Sequence, residues 1–235
     1  MDRTLPSVTF EHPSLRGDNN QVVVFQNLES PSSDEEGTAR WVWPGATATA
    51  TWLCKRGEDW IAGKNIVELG SGTGLLGLVA SKLGASSVTL TDLPSELPLL
   101  ETNVAKNVLR DASPLRVTVE PLTWGDTNAI DKLLGVNTNN PVDVVLCCDL
   151  LYQNSEDVQR ALARTMRRLL MRDDKENKKA SPKKTKKRAL FAYQFRENVL
   201  ADSVFFEEID ELFGDPIRHE TSDEDLWLME YAVSS

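Results

Sequence analysis

The stretch Glu68-Leu-Gly-Ser-Gly-Thr-Gly74 has the residue types of a ligand-binding turn. Asn65-Ile-Val-Glu-Leu69 runs into it and reads as a strand, and an apolar helical pattern follows from about Leu75 to Leu83. The turn therefore falls at the carboxyl end of a strand, where open α/β sheets bind ligands. Gly70 and Gly72 carry no Cβ, so the backbone can bend sharply there and approach a bound group closely. The N–H groups that open the next helix, with the positive end of its dipole, suit a carboxylate or a phosphate.

Two cofactors compete for such a turn. Gly72-Thr-Gly-Leu-Leu-Gly77 matches the dinucleotide pattern G-x-G-x-x-G, and Asp92 follows where an acid for the ribose belongs. Nicotinamide enzymes usually enter the first glycine from a purely apolar strand, whereas here Glu68 stands two residues ahead of Gly70. A carboxylate at that place can help position the amino-acid end of S-adenosylmethionine, through the loop or ordered water. Asp92, ending the second strand, can then accept both ribose hydroxyls. The whole string favours the methyl donor. A NAD-dependent oxidoreductase using Gly72, Gly74 and Gly77 is the rival, and a helix cap ahead of Pro94 is the plainer role for Asp92.

A strand–helix alternation must hold these groups in place. Strands are expected at Asn65–Leu69, Ser87–Asp92, Leu115–Leu122, Val142–Asp149 and Arg188–Gln194. Helices are expected after them at Leu75–Leu83, Leu97–Val108, Asp157–Met171 and Ser203–Phe213, with a terminal strand pair around Ile217 and Leu226–Ala232. Pro121 fits an edge strand or a strand end. Such alternation predicts a parallel sheet covered by helices on both faces. Ahead of it, Ser7–Phe10 and Gln21–Gln26 read as two short strands, and Ala46–Arg56 as a helix closed by Gly57. The expected organisation is a doubly wound α/β domain with a Rossmann-like, seven-stranded mixed sheet over residues 41–235. Residues 1–40, a β-hairpin extension and an acidic loop from Glu29 to Gly37, pack on that core. A basic, flexible insertion occupies 173–188.

Composition narrows the class. The chain has 235 residues, 40% apolar and 26% charged, ordinary for a globular domain. No apolar run approaches the roughly 18 residues of a membrane helix, and Met1–Pro6 lead into no signal-like stretch. A soluble, cytoplasmic protein with no membrane contact is expected. Cys54, Cys147 and Cys148 form no disulfide framework, and His12 and His219 lack metal-ligand spacing, so no metal site is expected. A net charge of −10 argues against direct nucleic-acid binding. Asp173–Arg188 nevertheless holds eight Lys or Arg against three Asp or Glu. It reads first as a solvated loop, with a nuclear-import cluster at Lys183-Lys-Thr-Lys186 as the alternative.

From Val42 onward the chain resembles the seven-β-strand methyltransferases, and among them the family 16 protein-lysine methyltransferases. The resemblance rests on Val42-Trp43, the Glu68–Gly74 turn, Leu122-Thr-Trp-Gly125 after the third strand, and Asp149-Leu-Leu-Tyr152 after the fourth. The last is a D-x-x-Y tetrapeptide at the place by which the family is known. The resemblance implies S-adenosylmethionine as cofactor, with Trp43, Gly70, Ser71, Gly72, Asp92, Trp124 and Cys148 lining its site. It also implies a protein substrate modified on a side-chain amine, lysine of a non-histone protein first. Translation factors and chaperones are substrates such relatives suggest, and the enzyme is expected to be a monomer. Pro44 departs from the Val-Trp-Asp common in relatives, and Tyr193-Gln-Phe-Arg196 resembles a branch whose acceptor is not always lysine. Arginine and small-molecule acceptors therefore stay open.

Asp149 and Tyr152 are the candidate catalytic pair. Methyl transfer needs a neutral nucleophile aligned with the methyl group, and water kept out. A lysine amine is protonated in neutral water, so desolvation must lower its pKa, while a nearby carboxylate favours the charged form on entry. Asp149 can orient the amine through its carboxylate or a neighbouring carbonyl, and Tyr152 can wall the channel. The plainer roles are a helix N-cap for Asp149, a surface position for Tyr152, and core packing for Trp43. An acidic body suits a basic patch around the target.

Overall fold

A computed structural model describes residues 5–27, 38–108, 116–136, 141–152, 154–171, 186–195, 199–221 and 223–233. The whole acidic loop, most of the basic insertion and Arg196 lie outside these residues. In chain order the elements are β1 (Ser7–Glu11), β2 (Gln21–Phe25), α1 (Pro44–Trp60), β3 (Asn65–Leu69), α2 (Leu75–Lys82) and β4 (Ser87–Asp92). Then come α3 (Leu97–Asn107), β5 (Arg116–Pro121), α4 (Thr127–Val136), β6 (Val144–Cys148) and α5 (Glu156–Leu170). The chain ends with β7 (Arg188–Gln194), α6 (Ser203–Phe213), β8 (Ile217–His219) and β9 (Leu226–Ala232).

Seven strands form one sheet in the order β5-β4-β3-β6-β7-β9-β8, and β1 pairs with β2 in a separate antiparallel hairpin. β3 to β7 run parallel, while β9 pairs antiparallel with both β7 and β8. Chain progression reverses between β3 and β6, which are neighbours, so the crevice outside their carboxyl ends is where a ligand belongs. β5 is an edge strand, which is how it tolerates Pro121.

Both faces of the central strands are buried, so these strands read as near-continuous apolar runs. The alternation is visible along β6 and β7. Val144, Leu146, Leu190 and Ala192 face the cluster made by α1, α2 and the hairpin, with Leu97, Leu100 and Val104 of α3. Val145, Cys147, Phe191 and Tyr193 face the cluster of α4, α5 and α6. Cys147 and Cys148 thus point to opposite faces, as period-two geometry requires.

Two expectations need correction. α1 starts at Pro44, continues through Gly57 and reaches Trp60, where Gly57 had been expected to end it. Gly57 is buried, and a Cβ there would lie 3.3 Å from Leu83, so this glycine permits close packing of α1 on α2. α4 had no counterpart in the expected helices. Its signal was present: Asp126 Oδ1 accepts the N–H groups of Asn128 and Ala129 at 3.0 Å each, and Ile130, Leu133 and Leu134 form its buried stripe.

Candidate active site

The ten residues singled out from the sequence converge on one cavity of about 680 Å³ at the carboxyl ends of β3, β4, β5 and β6. Its size suits a nucleotide-like cofactor and leaves room for a second group. Gly70, Ser71 and Gly72 form the turn beyond β3, Asp92 ends β4, and Trp124 follows β5. Cys148, Asp149 and Tyr152 come from β6 and the segment after it, and Trp43 stands immediately before α1.

The turn is built on left-handed backbone, with φ of +58° at Gly70, +53° at Gly72 and +80° at Gly74. A Cβ on Gly70 would lie 2.5 Å from Leu150 and 3.4 Å from Trp124. On Gly72 it would lie 2.9 Å from the Ala39 carbonyl oxygen. The missing Cβ atoms let three chain segments close around one point. Ser71 fixes the turn to the sheet: its N–H donates to the Thr91 carbonyl at 2.9 Å and its Oγ accepts the Thr91 N–H at 3.1 Å. The Ser71 hydroxyl therefore serves the fold. α2 begins at the turn without a side-chain cap.

Two acids support the turn from opposite sides. Asp92 Oδ2 accepts the Gly72 N–H at 2.7 Å and Oδ1 accepts the Leu93 N–H at 2.7 Å. Burial raises its pKa, opposed by those two hydrogen bonds. It is not a cap of α3, whose N-cap residue is Glu96. Each of its carboxylate oxygens keeps acceptor capacity toward the cavity. Glu68 is buried and its Oε2 accepts the Gly77 N–H at 2.9 Å, one turn into α2. Burial pushes its carboxyl up to about 8, against the pull of Gly77 and Ser71. Glu68 therefore braces the start of α2 through the Gly77 N–H.

The mouth is aromatic and strained. Trp43 and Tyr152 have ring centroids 6.0 Å apart at an interplanar angle of 47°. Asp149 has φ of +55°, a left-handed conformation uncommon outside glycine, and its N–H donates to the Ala192 carbonyl at 2.8 Å. Burial raises the Cys148 thiol pKa, so Cys148 lines the site as an uncharged side chain. α5 takes Ser155 as its N-cap residue, which removes the capping role considered for Asp149.

Sequence reasoning missed several lining residues. Ala39 and Arg40 come from the short helical turn ahead of Trp43, and Arg40 Nε lies 3.7 Å from Glu96 Oε2 at the rim. Leu93, Leu150 and Val158 add apolar surface. Only their neighbourhood to Asp92 and Asp149-Leu-Leu-Tyr152 could have marked them.

The model of the lysine methyltransferase family matches residues 25–212. The chain belongs to that family. Among curated relatives, protein N-lysine methyltransferase METTL21A of Danio rerio is 35% identical over 133 residues, covering 57% of this chain and 56% of the relative. Protein-lysine methyltransferase METTL21E of Mus musculus is 37% identical over 112 residues, covering 47% and 44%. The chain thus spans about half the length of these curated relatives. Two solved structures share the fold. One, a candidate SAM-dependent methyltransferase from Streptococcus mutans, has a TM-score of 0.56 at 17% identity, covering 95% of this chain and 57% of that one. The other, magnesium protoporphyrin IX methyltransferase from Synechocystis with bound SAH, has a TM-score of 0.50 at 15% identity, covering 80% and 81%.

Proposed function

We propose that this chain is an S-adenosylmethionine-dependent methyltransferase that modifies a lysine amine on a non-histone protein. Family membership supports the reaction class, and the cavity supports the cofactor. The observation that carries the reading is the left-handed Asp149 beside the Trp43–Tyr152 pair, in the same cavity as the glycine turn.

The residues present fit the cofactor. The left-handed Gly70–Gly72 turn, held close against Leu150 and Ala39, lines the cavity with bare backbone, and Asp92 has acceptor capacity for ribose hydroxyls. Trp124 offers an aromatic face for the adenine. When bound, S-adenosylmethionine supplies a methyl group activated by a sulfonium leaving group. Asp149 attracts the incoming ammonium, and its carboxylate oxygens then accept the amine N–H, aiming the nitrogen lone pair into the cavity. Enclosure by Trp43 and Tyr152 disfavours the charged amine and lowers its pKa, so that its proton passes to bulk water as the side chain enters and the lone pair is free. The same rings exclude water from the reacting atoms.

Labelled methyl transfer into a cell lysate, followed by mapping of the modified residue, tests the reading. Label on lysine of a protein is the expected result. Label confined to arginine or to small metabolites would remove the lysine assignment. Saturable NADH binding without S-adenosylhomocysteine binding would replace the cofactor.

A further inference from the structure

The β1–β2 hairpin stands outside the seven-stranded sheet, and the family match begins only at the last residue of β2. One buried side chain nevertheless joins it to the glycine turn. Asn103 on α3 is wholly buried. Its Oδ1 accepts the Phe25 N–H at 2.7 Å, and its Nδ2 donates to the Phe25 carbonyl at 3.1 Å. The same Nδ2 donates to the Thr73 carbonyl at 2.9 Å, between Gly72 and Gly74.

Asn107, one helical turn on, repeats the strand half of this arrangement. Its Oδ1 accepts the Val23 N–H at 2.8 Å and its Nδ2 donates to the Val23 carbonyl at 2.6 Å. Carboxamides four residues apart share a helix face, and Val23 and Phe25 share one edge of β2. The two side chains therefore act as a substitute strand for that edge. Only Asn103 goes on to the turn. The hairpin also sets the facing wall. Gln26 Oε1 accepts the Val42 N–H at 2.9 Å, next to Trp43, and the Asn27 N–H donates to the Arg40 carbonyl at 3.2 Å. Ala39, between these points and the turn, is the residue that closes over Gly72.

We propose that the hairpin is a working part of the cofactor site and that Asn103 is the positioning residue coupling the two. It holds the glycine turn through the Thr73 carbonyl and holds β2 through Phe25, so docking of the hairpin and binding of the cofactor favour each other. This rests on the reading of the cavity as the S-adenosylmethionine site. Both Nδ2 hydrogens are committed, so losing the carboxamide leaves a buried carbonyl without its donor. Coupling of this kind is reciprocal: what the docked hairpin adds to cofactor affinity, the cofactor adds to hairpin docking.

Calorimetry with S-adenosylhomocysteine on the full chain separates this from a merely structural role. Asn103→Leu and Asn107→Leu each remove three hydrogen bonds, the third for Asn107 being its donation to the Asn103 carbonyl. Asn103→Leu should raise the dissociation constant about tenfold or more, as expected for a lost buried hydrogen bond at the turn. Asn107→Leu should raise it less than about threefold at a similar loss of melting temperature, because Asn103 still holds both Phe25 and Thr73. Equal effects of the two variants, or unchanged affinity in Asn103→Leu, would overturn the proposal. Amide exchange on the unaltered chain gives a reading that needs no variant. S-adenosylhomocysteine should slow exchange at Phe25, and protection at Gly72 with none at Phe25 would also overturn it. An unaltered chain that binds no S-adenosylhomocysteine defeats the cofactor reading itself.

Discussion

Glu68→Gln tests whether the acid beneath the glycine turn is neutral in the folded chain. Glu68 is 3% exposed and burial pushes its carboxyl up to about 8, from an ordinary 4.5 when unfolded. Between those values the folded chain keeps a proton that the unfolded chain has released. Stability is then fully present below pH 4.5 and is lost as the pH rises through about 8. The interval of about 3.5 pH units amounts to at most about 5 kcal/mol, at roughly 1.4 kcal/mol per unit. Glutamine has the shape of the protonated acid and cannot ionise. The variant should match the parent near pH 4 and gain on it by up to about 1.4 kcal/mol per pH unit until about pH 8. For a domain of this size that is about 3–5 °C of melting temperature per unit. Urea unfolding of both chains at pH 5.5, 6.5, 7.5 and 8.5 measures the difference, and titration of the other groups largely cancels. A difference that stays flat with pH, or that turns against glutamine as pH rises, would mean a charged carboxylate held by the Gly77 N–H.

Substitutions at three further positions probe the site. Asp149→Asn keeps the size and tolerates the left-handed backbone, so methyl transfer should fall about 100-fold while S-adenosylhomocysteine affinity stays within about threefold. Turnover near the parental rate would remove Asp149 from the chemistry. Gly72→Ala places a Cβ 2.9 Å from the Ala39 carbonyl at a φ of +53°, adding about 1–2 kcal/mol of backbone strain. Calorimetry should show about tenfold weaker binding of S-adenosylhomocysteine, and unchanged affinity would mean that the turn does not cradle the cofactor. Tyr152→Phe keeps the ring against Trp43 and Tyr152→Ala removes it. If the ring is the wall, kcat/KM for a protein substrate falls about tenfold in the alanine variant alone, and equal losses in both assign the role to the hydroxyl.

Much of this architecture is legible in the chain because its strands are short, apolar and separated by helices. The glycine turn, Asp92 and Asp149-Leu-Leu-Tyr152 can be assigned to one sheet edge once the strands before them are recognised. α4 was harder, since its ten residues hold only one buried stripe and follow a turn-like Thr123–Asp126. The reach of α1 to Trp60 was hidden by Gly57, a residue that marks a helix end in sequence but a close helix contact here. Asn103 carried no local signal at all. Its partners lie 78 and 30 residues away, and a polar residue on a helix reads as solvent-facing until the fold buries it.

That contrast bears on how the site works. The groups that a sequence pattern reveals, the turn and the D-x-x-Y tetrapeptide, lie on segments just past strand ends, where backbone geometry is unusual. Gly70, Gly72 and Asp149 all sit in the left-handed region, and none is held there by its own element. Their positions depend on contacts from elsewhere: Asp92 and Ala39 on Gly72, Leu150 and Trp124 over Gly70, the Ala192 carbonyl on Asp149, and Asn103 on Thr73. Two of those supports, Ala39 and Asn103, lead back to the hairpin through Asn27, Gln26 and Phe25. A chain shortened ahead of residue 38 would keep every residue that the sequence marks as functional. It would lose the reference that holds the turn, so its cofactor affinity should fall further than its melting temperature alone would suggest.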